Sequence, residues 1–132
     1  MSAGPNRQVN DIGDFRVFDL WYDDSAQIVG VADVVVPAGT VLVRSAAGQY
    51  AAYSAGGDQA DAIATEDVTL GASIGFTSVA ISGKVRADRI FDGAGVAISD
   101  LADPADVSAA MTALQTGGIT AIKSNDFSKL DN

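Results

Sequence analysis

The stretch that most constrains the fold is residues 37–66, PAGTVLVRSAAGQYAAYSAGGDQADAIATE. Pro37, Ala38 and Gly39 form a turn. Residues 40–44 then alternate, with Val41 and Val43 on one face and Leu42 on the other, which is the period of a strand. Residues 45–48 make a four-residue connection ending in Gly48, where a chain reversing into a hairpin commonly takes a positive φ. Residues 49–53 return as the partner strand, and a polar, Gly-rich loop over 54–61 leads to 62–66, long enough for one more short strand.

The flanking segments extend this β unit. Residues 1–10 are polar and without periodicity, which predicts a mobile N-terminal arm. Residues 15–22, FRVFDLWY, hold four of the nine aromatics of the chain and are apolar on both alternating faces, as a strand covered on two sides would be. Asp23, Asp24 and Ser25 are expected to end it. Residues 28–36 read as a β-branched strand with a bulge or bend at Gly30 and Asp33, and 74–82 and 84–91 as two strands with Gly83 between them as a tight turn or bulge. One helix is predicted over 104–116: Asp103 is the N-cap, Pro104 opens the first turn, and Val107, Ala110, Met111 and Leu114 repeat at helical spacing before Gly117 and Gly118. A short strand over 119–124 precedes a polar tail. The expected fold is therefore mainly β with one C-terminal helix (α+β), a small β-barrel or tulip-like fold. It divides into an arm over 1–24 that includes the strand at 15–22, a β domain over 25–124, and the tail over 125–132.

At 132 residues the chain can close one core. Ala is its commonest apolar residue and buries little area, so association of subunits is expected to supply part of the burial. Of its 17 acidic residues 16 are Asp, against 8 basic ones, for a net charge of -9. Such a surface repels nucleic acid and anionic membranes. The longest apolar run, 28–36, is broken by Asp33 and too short to span a bilayer.

With no His and no Cys, the sequence has no Ser-His-Asp or Cys-His arrangement, no N/S zinc site and no disulfide. The carboxylate pairs Asp23–Asp24 and Glu66–Asp67 could serve a hydrolase, but neighbours on a strand point to opposite faces. Asp100, Asp103 and Asp106 lack the alternate-residue spacing of a calcium loop, and helix capping accounts for two of them. No motif places a Ser/Thr nucleophile beside Lys84, Lys123 or Lys129. No catalytic residue, metal or cofactor is expected. Lys84, Arg86 and Arg89 form the only local excess of positive charge, either a contact between subunits or a solvated sheet edge. The 15–22 stretch is likewise either a core strand or an element docked on another chain.

The order of features resembles the head decoration proteins of tailed bacteriophages, of the lambda type. The resemblance is carried by Gly39-Thr40-Val41-Leu42, by Gly48-Gln49-Tyr50 with Tyr53, and by Ala62-Ile63-Ala64-Thr65-Glu66-Asp67-Val68. Gly83-Lys84-Val85, the helix, and Leu114-Gln115-Thr116-Gly117-Gly118-Ile119 complete it, over roughly residues 35–123. It implies a non-enzymatic homotrimer on the outside of an icosahedral head, at three-fold positions, clamping the major capsid protein after the shell expands. It also implies synthesis in a host cytoplasm and residence on the virion exterior. In such proteins an N-terminal arm adds a strand to a capsid element. The corresponding candidates here are Asn6, Arg7, Gln8, Val9, Phe15, Val17, Phe18 and Trp21, with Lys84, Arg86 and Arg89 at the trimer interface. A reading from a different class is a β-barrel module for glycan or a small ligand, with Trp21, Tyr50 and Tyr53 as stacking platforms.

Overall fold

The computed structural model describes residues 15–122. Eight strands and one helix follow in order: β1 (Arg16–Val29), β2 (Val35–Val36), β3 (Val41–Arg44), β4 (Tyr50–Ala52), β5 (Ala62–Ala64), β6 (Val68–Thr69), β7 (Ile74–Arg86), α1 (Pro104–Thr116) and β8 (Ile119–Ile122). The main sheet runs β1-β4-β3-β5-β7-β8, and β1 also pairs with β7, which closes the first five into a barrel. β8 adds to β7 in parallel outside that ring, and β2 and β6 form a separate two-stranded ribbon. The expected class, a small β-barrel with one helix, is the one observed.

Alternation along the strands sorts the apolar residues into two clusters. Leu42 of β3, Ala62 and Ala64 of β5, Val79 of β7, Ala26 and Ile28 of β1 and Tyr50 of β4 share one cluster, and since all five barrel strands contribute, that cluster is the lumen. Their sequence neighbours Val41, Ile63 and Ala80 face outward into the second cluster, roofed by Ala110, Ala113 and Leu114 of α1. Both faces of the β3-β5-β7 wall are therefore covered. The abundance of Ala has a fold-level cause here. A five-stranded ring has a narrower bore than the eight strands that just accommodate ordinary side chains, so Ala26, Ala62 and Ala64 fill it without overpacking.

The helix is built as its sequence predicts. The Ala105 N–H donates to Asp103 Oδ1 (2.9 Å), Pro104 occupies the first turn, and Val107 and Met111 flank the buried stripe. Such a cap contributes about 1 kcal/mol.

Several boundaries differ from expectation; the strand expected over 84–91 ends at Arg86, where Ala87–Arg89 tighten into a short 3-10 turn. β1 does not stop at Asp23–Ser25 but continues to Val29, because β7 offers thirteen residues of continuous partner and a bulge between Asp23 and Ala26 absorbs the polar residues. There the Ser25 N–H donates to Asp23 Oδ1 (3.1 Å) and the Ser78 hydroxyl to Asp24 Oδ1 (3.1 Å). A domain boundary at residue 24 consequently falls inside a barrel strand. Residues 28–36 are not one strand: Ile28 and Val29 finish β1, Asp33 turns with φ 65°, and Val35–Val36 pairs with β6. Gly83 is no turn either. β7 passes through it at φ 121°, opposite a register shift in β1, and changes neighbours from β5 to β8.

Candidate association surface

β1 and β4 are parallel and share one bridge, Ile28 to Tyr50. Beyond it they part. β1 ends and the chain turns away at Gly30, while Tyr53 is drawn toward β3, its N–H donating to the Val41 carbonyl (2.8 Å). The opening between the diverging ends is a groove of about 620 Å³, floored by Thr40 and Leu70 and walled by Ala52, Val34, Val35 and Phe91. Its far lip is the loop over 91–95, whose shape is fixed by Asp92. That carboxylate is buried, and Oδ1 accepts from the Ala94 and Val96 N–H groups (both 2.9 Å). The Thr40 hydroxyl donates to the Pro37 carbonyl (2.7 Å). These polar groups are thus engaged within the chain, and the remaining lining is largely methyl and ring surface.

Around this groove the protein exposes large apolar side chains: Val31 at 71%, with Val34, Val35 and Val96. Ile74 pairs with Val29, and Phe76, 69% exposed, pairs with Gln27, so the outer face of β1 and β7 continues the same apolar end of the barrel. Among the described residues, the exposed large apolar side chains away from this end are Trp21 (72%) and Tyr22, farther along β1. A strand over 28–36 would send these valines to alternating faces, so the sequence pattern alone does not show the clustering. The signal was present as three valines around an Asp that turns with positive φ.

The residues singled out from sequence are not gathered into one site. Asn6, Arg7, Gln8 and Val9 lie outside the described residues, as do the side chains of Val17 and Phe18. Phe15 is 4% exposed and packs in the cluster beneath α1, so its ring is part of the core of this chain. Trp21 is open to solvent, opposite Ser82. Lys84 is exposed on β7. Arg86 meets Asp88 of its own chain, Nε to Oδ1 at 3.2 Å and Nη2 to Oδ2 at 3.0 Å, so the predicted pairing with an acid is at least partly satisfied within the subunit. Arg89 is half-buried, and its Nε has no hydrogen-bond partner among the described residues.

Tyr50 and Tyr53 are buried, Tyr50 in the lumen and Tyr53 beneath α1, so neither can stack on a ligand. The Tyr53 hydroxyl donates to the Gly57 carbonyl (2.7 Å). The adjacent acids diverge into structural roles: Glu66 Oε1 accepts from the Thr77 hydroxyl (3.0 Å), and Asp67 Oδ1 from the Ala38 N–H (2.8 Å). Among the described residues no three potential metal ligands converge.

Burial raises the pKa of both tyrosines, reinforced at Tyr50 by Asp23 and Asp61 against the opposing Arg44, and at Tyr53 by Asp106, Asp58 and Asp92. Each hydroxyl holds its proton more tightly folded than unfolded, so the stabilisation is complete below the ordinary value of 10.0 and is lost as pH rises through the folded value. In an ultraviolet titration these two tyrosinates should form above that range, together with loss of the near-ultraviolet circular dichroism. Full ionisation of every tyrosine near pH 10 with the fold intact would contradict the burial.

A comparison of the chain with known protein families and with curated proteins finds no match.

Proposed function

We propose that this chain is a structural virion protein, a homotrimer that binds the outer surface of an icosahedral phage-type capsid at three-fold positions and stabilises the expanded shell. The observation that carries the reading is the apolar end of the barrel. An acidic chain that leaves Val31, Val34 and Val35 open to water around a groove, with Phe76 exposed on β7, has a surface suited to being covered by protein. The ordered residue set from Gly39 to Ile119 supports the same reading by resemblance. Shape and contact area would be its working equipment. If each subunit held the shell by only ~4 kcal/mol, a millimolar contact, three linked subunits would gain on the order of 10²- to 10⁴-fold through effective concentration.

The alternative is a β-barrel recognition module. The groove volume suits a small ligand, although the burial of Tyr50 and Tyr53 removes two of the three aromatics a glycan would stack on. Light scattering should give the mass of three 13.4 kDa chains at micromolar concentration. Deleting residues 1–10 should leave that mass unchanged and weaken attachment to expanded heads. A monomer that ignores such heads refutes the reading, and equal attachment with and without these residues refutes the arm assignment.

A further inference from the structure

We propose that the groove end of the barrel is where copies of this chain hold one another, the ridge of Val31, Val34 and Val35 of one copy seated in the groove of the next. This names the contact within the assembly proposed above and rests on that reading.

The first argument is charge. Two copies each carrying -9 repel wherever their acids meet, so self-contact is favoured where acids are sparse. Among the groove-lining residues Asp92 alone is charged, and its carboxylate is buried and already accepts two backbone hydrogen bonds. The nearby acids are Asp33, at the turn between the valines, and Asp67, whose Oδ1 is held by the Ala38 N–H.

The second argument is shape. The structure sets a projection beside a recess: Val31, 71% exposed, with Val34 and Val35, borders the very groove those valines help to line. A surface that carries both knob and hole fits itself. In a closed ring the knob of each copy enters the hole of its neighbour, so one repeated contact suffices.

Desolvation favours the same face. Thr40 Oγ1 and Asp92 Oδ1 are bonded within the chain, so covering the groove need not strand those polar atoms, while methyl groups leave water. Trp21 and Tyr22, the exposed aromatics farther back on β1, are set apart from the groove: Trp21 lies eight residues before Val29, roughly 25 Å of strand. The two ends of β1 can therefore serve different partners, copies at the groove and shell at the tryptophan.

The experiment compares the full-length protein with Val31→Asp, Val34→Asp and, as a control at the far end, Trp21→Ser. Sedimentation velocity is run over a dilution series from about 100 to 0.1 μM, with circular dichroism to show that each variant is folded. Both valines are exposed, so an aspartate there leaves the core intact, and Val31→Asp is the safer of the two. The wild type and Trp21→Ser should sediment as the same oligomer. Val31→Asp and Val34→Asp should dissociate at concentrations at least about tenfold higher, and should lose on the order of 10²-fold or more in attachment to expanded heads as linkage fails. Added salt should tighten wild-type association by screening the net charge.

An oligomeric wild type whose mass survives both aspartates overturns this inference and leaves the proposed function standing. The same holds if the aspartates cut attachment to heads without changing the mass, since the groove then takes a shell segment or a small apolar molecule. A wild type that is monomeric throughout overturns this inference, and one that also ignores expanded heads overturns the proposed function as well.

Discussion

Leu42→Ala is expected to cost about 3–5 kcal/mol, a large part of the roughly 5–15 kcal/mol that holds a domain of this size together. Leu42 is fully buried, and its cross-strand partners are Ala52 on β4 and Ala62 on β5. The lumen around it is lined by Ala26, Ala64, Ile28 and Val79 on strands hydrogen-bonded into a closed ring. Small side chains cannot lean in to fill a vacated volume, and a closed ring cannot contract without breaking its ladders. The cavity should persist, which places this substitution in the upper part of the usual range. Urea or thermal unfolding measures it, with a fall in Tm of about 10 °C or more. Val43→Ala, on the half-buried outer side of the same strand, should cost about 1 kcal/mol or less. Equal losses for the two would mean that the lumen is not the packed centre of the fold.

Gly39→Ala should be nearly as damaging for a different reason. Gly39 has φ 90°, and a Cβ there would lie 2.8 Å from the Arg89 carbonyl oxygen and 3.3 Å from the Phe91 ring. The conformation alone costs about 1–2 kcal/mol for a residue with a side chain. The collision adds to it because the obstructing atom is backbone. Relief would strain the bonds that tie the turn into the fold: Gly39 N–H to the Ala64 carbonyl (2.8 Å) and Phe91 N–H to the Gly39 carbonyl (2.9 Å). A total near 3 kcal/mol is expected. Gly95→Ala separates the two contributions, since Gly95 has φ 85° but no atom within 4 Å of the added methyl, and should lose only about 1–2 kcal/mol. Because Phe91 walls the groove, Gly39→Ala should also weaken self-association in the fraction that stays folded.

These two sites show where function and stability meet. Leu42 acts on the barrel alone, whereas Gly39 sits between the barrel and the segment that shapes the groove. The proposed association surface is therefore held by packing of the 91–95 loop and by the Asp92 bonds, more than by the strands themselves. Of the basic residues read as interface candidates, Arg86 has an acid partner, Asp88, within its own chain. An exchange of that short-range, partly buried pair should change stability by about 1 kcal/mol.

Local chemistry in the chain was enough to locate the helix, since Asp103, Pro104, the apolar stripe and the two glycines each act within a turn or two of themselves. It located the β3–β4 hairpin for the same reason: Val41 and Leu42 alternate into different clusters, and Gly48 takes φ 86° in the connection. The mainly β class followed from those elements together. What the residues alone did not determine was where β1 ends, that β7 runs unbroken through Gly83, and that Val31, Val34 and Val35 stand in water. Each depends on a partner outside the local segment, from 17 residues away (Ile63 to Ala80) to 56 (Asp23 to Val79): β7 carries β1 past Asp23–Ser25, β8 and β5 divide β7 at Gly83, and Leu70 fixes Asp33 through its carbonyl (2.7 Å). Propensity is a short-range quantity worth tenths of a kcal/mol per residue, while a strand's ladder with a distant partner is worth several. Wherever the two disagreed, the distant partner decided the structure, and the groove exists only as a result of those decisions.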